Sequence, residues 1–189
     1  MDRTENQLET LTSRIKAMSA RMFTNGTVAR ESILDVIIPH GRKEEIDMNG
    51  LETLVESTID SVHVSVKDKK VCIELTCAWE GKERKKITAT GVEDFVADEL
   101  RLSNIVDRVH CFAAADFQEN ISTITDNLFF LIRGKSPSSS DLEWEPLKEK
   151  LGMISSGMLT LLVVEPVYGV TIILLASEIQ LEAIGSDAF

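Results

Sequence analysis

The chain has 189 residues, of which 43% are hydrophobic and 27% are charged, and its net charge is −11. These values suit a folded chain with one sizeable core, and the acidic excess disfavours non-specific binding to nucleic acid or to anionic membranes. The three cysteines are odd in number and lack metal-knuckle spacing, so we expect neither a disulfide framework nor a metal site. With a polar N-terminal sequence, this composition predicts a cytoplasmic protein.

The first segment, residues 1–24, is predicted to form an amphipathic helix. Its apolar side chains recur at spacings of three and four and are Leu8, Leu11, Ile15, Met18 and Met22. This spacing places them on one helix face over about two heptads. The face can pack within the domain or bind a partner, and the two methionines suit an adaptable partner surface. Residues 25–189 are predicted to form a single domain.

Five pairs of residues have the spacing of a helix-capping box, in which the first residue caps the helix and the residue three places later reaches back. The pairs are Thr4 with Gln7, Asn49 with Glu52, Thr90 with Glu93, Asp116 with Glu119, and Ser140 with Glu143. Together with the apolar spacing that follows them, these pairs predict helices over 4–23, 49–59, 90–100, 116–131 and 140–151. A further apolar pattern predicts a helix over 28–38.

Strict alternation of apolar and polar residues marks the strands. Residues 61–89 alternate through two turns, at 67–69 and 80–82, and predict a three-stranded antiparallel meander with one buried and one wetter face. A further strand is predicted near 105–113. Together with the helices, these segments indicate an α+β fold with a mainly antiparallel sheet.

The apolar block at 158–176 has the length of a membrane span. However, Glu165, Pro166 and Gly169 lie in its middle, and a central carboxylate costs about 2.5–3.5 kcal/mol on insertion scales. The runs on either side are rich in valine, isoleucine and leucine, as strands prefer. We therefore predict a buried hairpin and no membrane span.

None of the candidate catalytic or nucleotide-binding motifs is complete. Gly134-Lys135-Ser136 resembles the end of a P-loop, but the glycine required five positions earlier is Phe129. Gly152–Gly157 lacks the spacing of a nucleophile elbow. His110 and Cys111 are neighbours on a predicted strand and should therefore point to opposite faces. We expect no enzymatic activity, cofactor or metal.

Basic residues are concentrated at 61–90, which carries seven basic and four acidic side chains. They form two groups at opposite ends of the second strand, about 30 Å apart. The first group is Lys67, Lys69 and Lys70, and the second is Lys82, Arg84, Lys85 and Lys86. They can be solvated turn residues or a docking surface for an acidic partner, and the second group is the stronger candidate for docking.

The sequence therefore favours a non-enzymatic protein–protein interaction module, such as an adaptor, assembly factor, inhibitor or structural subunit that self-associates. The alternatives are a small-ligand sensor domain and an enzyme of an unrecognised type. A binding protein would show an exposed apolar patch and a dimer in solution. A sensor would show a closed pocket with a few convergent polar groups, and an enzyme would show titratable residues clustered in a cleft.

Overall fold

The computed structural model describes residues 48–78 and 80–185, without the side chains of Met48, Asn49 and Glu80. The predicted helices at 4–23 and 28–38, and with them the predicted division of the chain at residue 24, lie outside these residues. Within the described part, no helix is both long enough and apolar enough to cross a membrane.

Six strands and two α-helices make up the part of the chain that the structure describes, so the predicted α+β class with antiparallel pairing is confirmed. The strands are β1 (Thr58–Ser65), β2 (Lys70–Thr76), β3 (Arg84–Asp98), β4 (Ile105–Phe112), β5 (Thr160–Tyr168) and β6 (Thr171–Ile184), and the helices are α1 (Phe117–Arg133) and α2 (Glu145–Ser155). Short 3-10 helices span Met48–Leu54, Glu80–Lys82, Ala114–Asp116 and Asp141–Glu143. The strand order is β1-β2-β3-β6-β5-β4, every pair is antiparallel, and β4 meets β1 to close the sheet into a barrel.

The predicted meander is confirmed in β1 to β3, but the predicted helix at 90–100 is wrong. Strand β3 continues through this segment to Asp98 and pairs with β6 along its whole length. The hydroxyl of Thr90 donates to Glu178 on β6 at 3.2 Å instead of capping a helix. The apolar spacing of Val92, Phe95 and Val96 fits a helix, but pairing with an apolar strand overrides it, since strand preference follows side-chain packing.

The predicted helix at 49–59 is also wrong beyond its first half. The 3-10 helix ends at Leu54, and Glu56 adopts a positive φ of 63° that cannot continue a helix. Ile59 then lies in β1 with its side chain in the barrel core.

The predicted helix start at Asp116 is confirmed, because Asp116 is the N-cap residue and α1 begins at Phe117, but the Asp116 side chain does not cap the helix. Its Oδ2 instead accepts a hydrogen bond from the N–H of Ala113 at 3.1 Å. The predicted helix start at Ser140 is wrong. Ser140 makes no side-chain cap, and Asp141 instead accepts from the N–H of Ser138 at 2.9 Å. Helix α2 therefore starts at Glu145, with Pro146 in its first turn.

The core has two layers that share the hairpin of β5 and β6. Inside the barrel, Leu162, Val164, Ile172 and Leu174 pack with the inward residues of β1 to β4. Outside the barrel, the alternate residues pack against α1 and α2; from the hairpin these are Leu161, Val163, Ile173 and Leu175. The predicted hairpin is thus confirmed, although β6 extends beyond the predicted end at 176. Its strands are apolar on both faces because one face packs inside the barrel and the other under the helices.

Candidate binding groove beside strand β4

Strand β4 is paired along its length on one side only. It pairs with β5 from Ile105 to Phe112, whereas β1 meets it only at Thr58 and Ile105. Because this contact is antiparallel, the residues before Thr58 lie beside the residues after Ile105. Two backbone hydrogen bonds continue the contact by one residue: the N–H of Val106 donates to Ser57 and the N–H of Glu56 donates to Val106, both at 2.9 Å.

The chain beside the rest of β4 is helical rather than extended. Residues that would extend β1 backwards along β4 form the 3-10 helix Met48–Leu54, whose Leu51 and Leu54 fill the barrel core. A helix cannot offer the regular row of donors and acceptors that a strand offers. From Asp107 to Phe112, β4 therefore has no strand partner on this side within 48–78 and 80–185.

A groove of about 460 Å³ lies between this edge, the 3-10 helix and the start of α1. Its lining residues are Leu51, Glu52 and Val55 from the first wall, five consecutive residues of β4 from Arg108 to Phe112, and Asp116 and Asn120 from the second wall. Consecutive strand residues point to opposite faces, so a cavity that touches five of them follows the strand edge rather than one face. We call this cavity the β4 groove.

Each basic side chain of the β4 groove has its own acidic neighbour. The Arg108 Nε atom lies 3.1 Å from Oδ2 of Asp107, and the His110 Nε2 atom lies 4.0 Å from Oε1 of Glu165. His110 also stacks on Phe112, with ring centroids 5.7 Å apart and planes 10° from parallel. This stacking holds the imidazole along the outer face of the strand.

The acidic side chains of the groove, by contrast, have no charged partners in the described part of the chain. Neither Glu52 nor Asp116 forms an ion pair with any residue of the described part. Both lie toward the Phe112 end of β4, because Asp116 follows the strand and Glu52 is six residues before Thr58. This end of the groove therefore carries negative charge that is not neutralised locally.

Cys111 lies on the groove floor, facing the barrel core. Burial, with a smaller contribution from the charge of Asp116, raises the pKa of its thiol to about 12. The side chain thus stays a neutral thiol at physiological pH, and a thiol is a poor nucleophile. Within the described residues, no group of three His, Cys, Asp or Glu side chains could hold a metal ion.

The basic candidate residues lie at one end of β2 and β3, away from Lys67, Lys69 and Lys70, as the sequence predicts. Three of them are bound within the domain: Arg84 lies 3.1 Å from Glu74, Lys86 lies 2.6 Å from Glu182, and Lys85 donates to Thr53 at 2.6 Å. The hydrogen bond from Lys86 to Glu182, together with the charge of Glu182, raises the pKa of Lys86. Lys82 is exposed beside them.

The other predicted partner surface, formed by Leu8, Leu11, Ile15, Met18 and Met22, lies outside the described residues. The β4 groove itself was not predicted. The alternating segment near 105–113 predicted the strand itself. It did not predict the unpaired edge, because that edge exists only where the chain before β1 forms a 3-10 helix instead of continuing as a strand beside β4.

Comparisons with known proteins add no relative from which a role could be transferred. The chain matches no protein-family description, no curated protein and no solved structure.

Proposed function

We propose that this domain is a non-enzymatic protein–protein interaction module that binds an extended segment of a partner along the β4 groove. The observation that carries the proposal is the unpaired edge of β4 from Asp107 to Phe112, within a groove that follows it. Strand addition to a free edge is a recurrent way of recognising peptides, since main-chain bonds give affinity and side-chain pockets give specificity.

The chemistry of the groove suits a polypeptide. Backbone N–H and C=O groups on the free edge lack a strand partner within the described residues, and each hydrogen bond formed on binding contributes about 0.5–1.5 kcal/mol. Alternate side chains of an added strand would meet two different surroundings. One set would face Arg108 and His110 on the outer side, and the other would face the apolar side chains of Leu51 and Val55.

A small-ligand sensor is the second candidate, because a volume of about 460 Å³ is within the range of ligand pockets. The barrel interior, where such a domain would enclose its ligand, is instead filled by buried side chains such as Ile73, Leu75 and Ile87. The groove is at the surface and touches the strand edge, which favours a polypeptide over a small enclosed molecule.

A substitution that fills the groove tests the proposal. Val55 lines the groove and is 36% exposed, so Val55→Trp should occupy the space without disturbing the core. Decapeptides selected on the immobilised full-length chain from a random displayed library are the probes. We expect them to bind the unmodified chain and to lose at least about tenfold in affinity on Val55→Trp, which corresponds to about 1.4 kcal/mol.

The matched control is Val167→Trp, which adds the same ring at a valine that is 62% exposed and does not line the groove. It should leave peptide affinity unchanged. Equal affinity of both variants for the selected peptides, with unfolding transitions like that of the unmodified chain, would contradict binding in the β4 groove.

A further inference from the structure

The turn between β1 and β2 is exposed and positively charged, whereas one end of the β4 groove is negatively charged. It carries Lys67, Lys69 and Lys70, all exposed, beside Val64 and Val66, which are 43% and 85% exposed. We call residues 64–70 the basic tip. None of its three lysines forms an ion pair within the described residues, in contrast to Arg84, Lys85 and Lys86.

The basic tip has a defined shape. The N–H of Lys69 donates to the carbonyl of Val66 at 3.3 Å and closes the turn. The Ser65 hydroxyl donates to Asp68 at 2.6 Å, which fixes the one acidic side chain of the tip. The lysines and valines are thus presented on a hairpin that needs little further ordering to bind, and this lowers the entropic cost of association.

The basic tip and the β4 groove cannot meet within one molecule. Strand β1 leads from Thr58 to the tip, whereas β4 leads from Ile105 in the opposite direction, because the two strands are antiparallel where they touch. Each strand is eight residues long, so each end is roughly 23 Å from the contact at about 3.3 Å per residue. A contact between tip and groove must therefore join two molecules.

We propose that the segment bound by the β4 groove belongs to a second copy of this chain and consists of the free edge of β1, residues 60–65, and the basic tip that follows it. This inference rests on the proposed function. In the described part of the chain, Glu52 and Asp116 of the groove form no ion pairs. The lysines of the tip form none there either, so the two surfaces can neutralise each other's charge. Val64 and Val66 are the apolar side chains that the groove walls would cover. Beyond Ile59, β1 has no strand partner on the side away from β2 within the described residues, so it offers an extended edge to β4.

The association is head-to-tail, because the tip of one copy enters the groove of the next and the two surfaces differ. Such a contact leaves one tip and one groove free in every dimer. The surfaces are small, so the complex should be weak and should depend on concentration and on salt.

Charge reversal on each surface in turn provides the test, with mass measured by sedimentation equilibrium on the full-length chain. The tip variant is K67E/K69E, and the groove variant is E52K/D116N. The D116N change keeps a side-chain oxygen that can accept the hydrogen bond from Ala113. All four positions are at least partly exposed, so both variants should remain folded. Glu149→Lys, a charge reversal at an exposed residue of α2 that belongs to neither surface, is the control.

We expect the average mass of the unmodified chain and of Glu149→Lys to rise between about 1 µM and 1 mM, the range of weak association. Each variant alone should remain a monomer. A one-to-one mixture should regain association, because the natural tip of the groove variant can enter the natural groove of the tip variant.

A monomeric unmodified chain over this range would overturn the second copy as partner. So would a variant that associates as the unmodified chain does. Either result leaves peptide binding in the groove to be judged by the Val55→Trp comparison, so the two proposals fail separately.

Discussion

At the scale of single residues, Asn104 joins three segments at the start of β4. Its Oδ1 accepts from the N–H groups of Arg101 and Val170 at 3.0 and 3.1 Å, and its Nδ2 donates to the carbonyl of Arg101 at 2.6 Å. Gly169 passes so close that a side chain there would clash with Asn104 and with the carbonyl of Ser103. The Asn104 residue is 3% exposed, so these bonds have no competition from water.

Removal of this amide should destabilise the domain. In Asn104→Ala the N–H of buried Val170 loses its acceptor, and an unsatisfied buried group costs about 1–3 kcal/mol. We expect the free energy of unfolding in urea to fall by about 2–3 kcal/mol. Asn127→Ala removes an amide that bonds within α1 at the surface and should change it by less than about 0.5 kcal/mol. Equal effects of the two substitutions would contradict the role of Asn104.

The thiol of Cys111 predicts a pH dependence of stability. Its pKa rises from the ordinary 9.0 to about 12 in the folded domain. Above pH 9.0 the thiol ionises in the unfolded chain but stays protonated in the folded chain. The free energy of unfolding therefore falls as the pH rises toward 12, by up to about 1.4 kcal/mol per pH unit. Urea unfolding of the unmodified chain and of Cys111→Ala between about pH 7 and about pH 10.5 checks this. The variant should lose less stability over this interval; parallel curves would be inconsistent with a buried neutral thiol.

At the scale of elements, the hairpin of β5 and β6 changes character along its length. Near the turn, both faces are buried, one in the barrel and one under the helices. Toward the end of β6, Ile179 is buried while Glu178 and Gln180 are exposed. Burial on both faces requires layers on both sides, and the helices cover only the first half of the strand.

This division predicts where substitutions on β6 matter. Leu174→Ala and Leu175→Ala affect opposite faces and should each cost about 2–5 kcal/mol, as buried leucines do. Farther along, Ile179→Ala should also be costly, whereas Glu178→Ala should change the free energy of unfolding by less than about 0.5 kcal/mol. Thermal or urea unfolding measures all four variants. If Leu175→Ala left the free energy of unfolding unchanged, the helices could not cover this face.

The N-terminal segment carries an element-scale prediction that comes from its sequence alone. If Leu11 and Ile15 form part of a partner surface, the double variant L11E/I15E should lose self-association or partner binding and stay folded. If they belong to the core, the same variant should melt at a much lower temperature, because buried unpaired carboxylates are costly. Calorimetry together with sedimentation separates these results. An unchanged mass and melting temperature would reject both interpretations.

At the scale of the whole molecule, local patterns predicted much of the fold. The alternation at 61–89 and near 105–113 and the apolar block at 158–176 correspond to β1 through β6, and the apolar spacing at 116–131 corresponds to α1. These segments were predictable because the period of their apolar residues matches their final burial.

The errors arose where distant parts of the chain decide the structure. Residues 90–98 have helical spacing but pair with β6, which comes much later in the chain. Closure of the barrel between β1 and β4, and the helix that leaves the β4 edge unpaired, are properties of topology that no local pattern contains. The candidate site lies at this closure, so it could not be predicted from the sequence, whereas the unpaired basic turn at 67–70 could.

The most direct test of binding at the β4 edge is amide hydrogen exchange, resolved by residue, in the full-length chain with and without a bound decapeptide selected on it. Strand addition predicts that amides of residues 107–112 that point away from β5 exchange slowly only in the complex, because they donate to the added strand. The amides of residues 172–176 of β6, which pair with β3 on one side and with β5 on the other, should not change. Protection that appears elsewhere, with residues 107–112 unaltered, would contradict binding along β4.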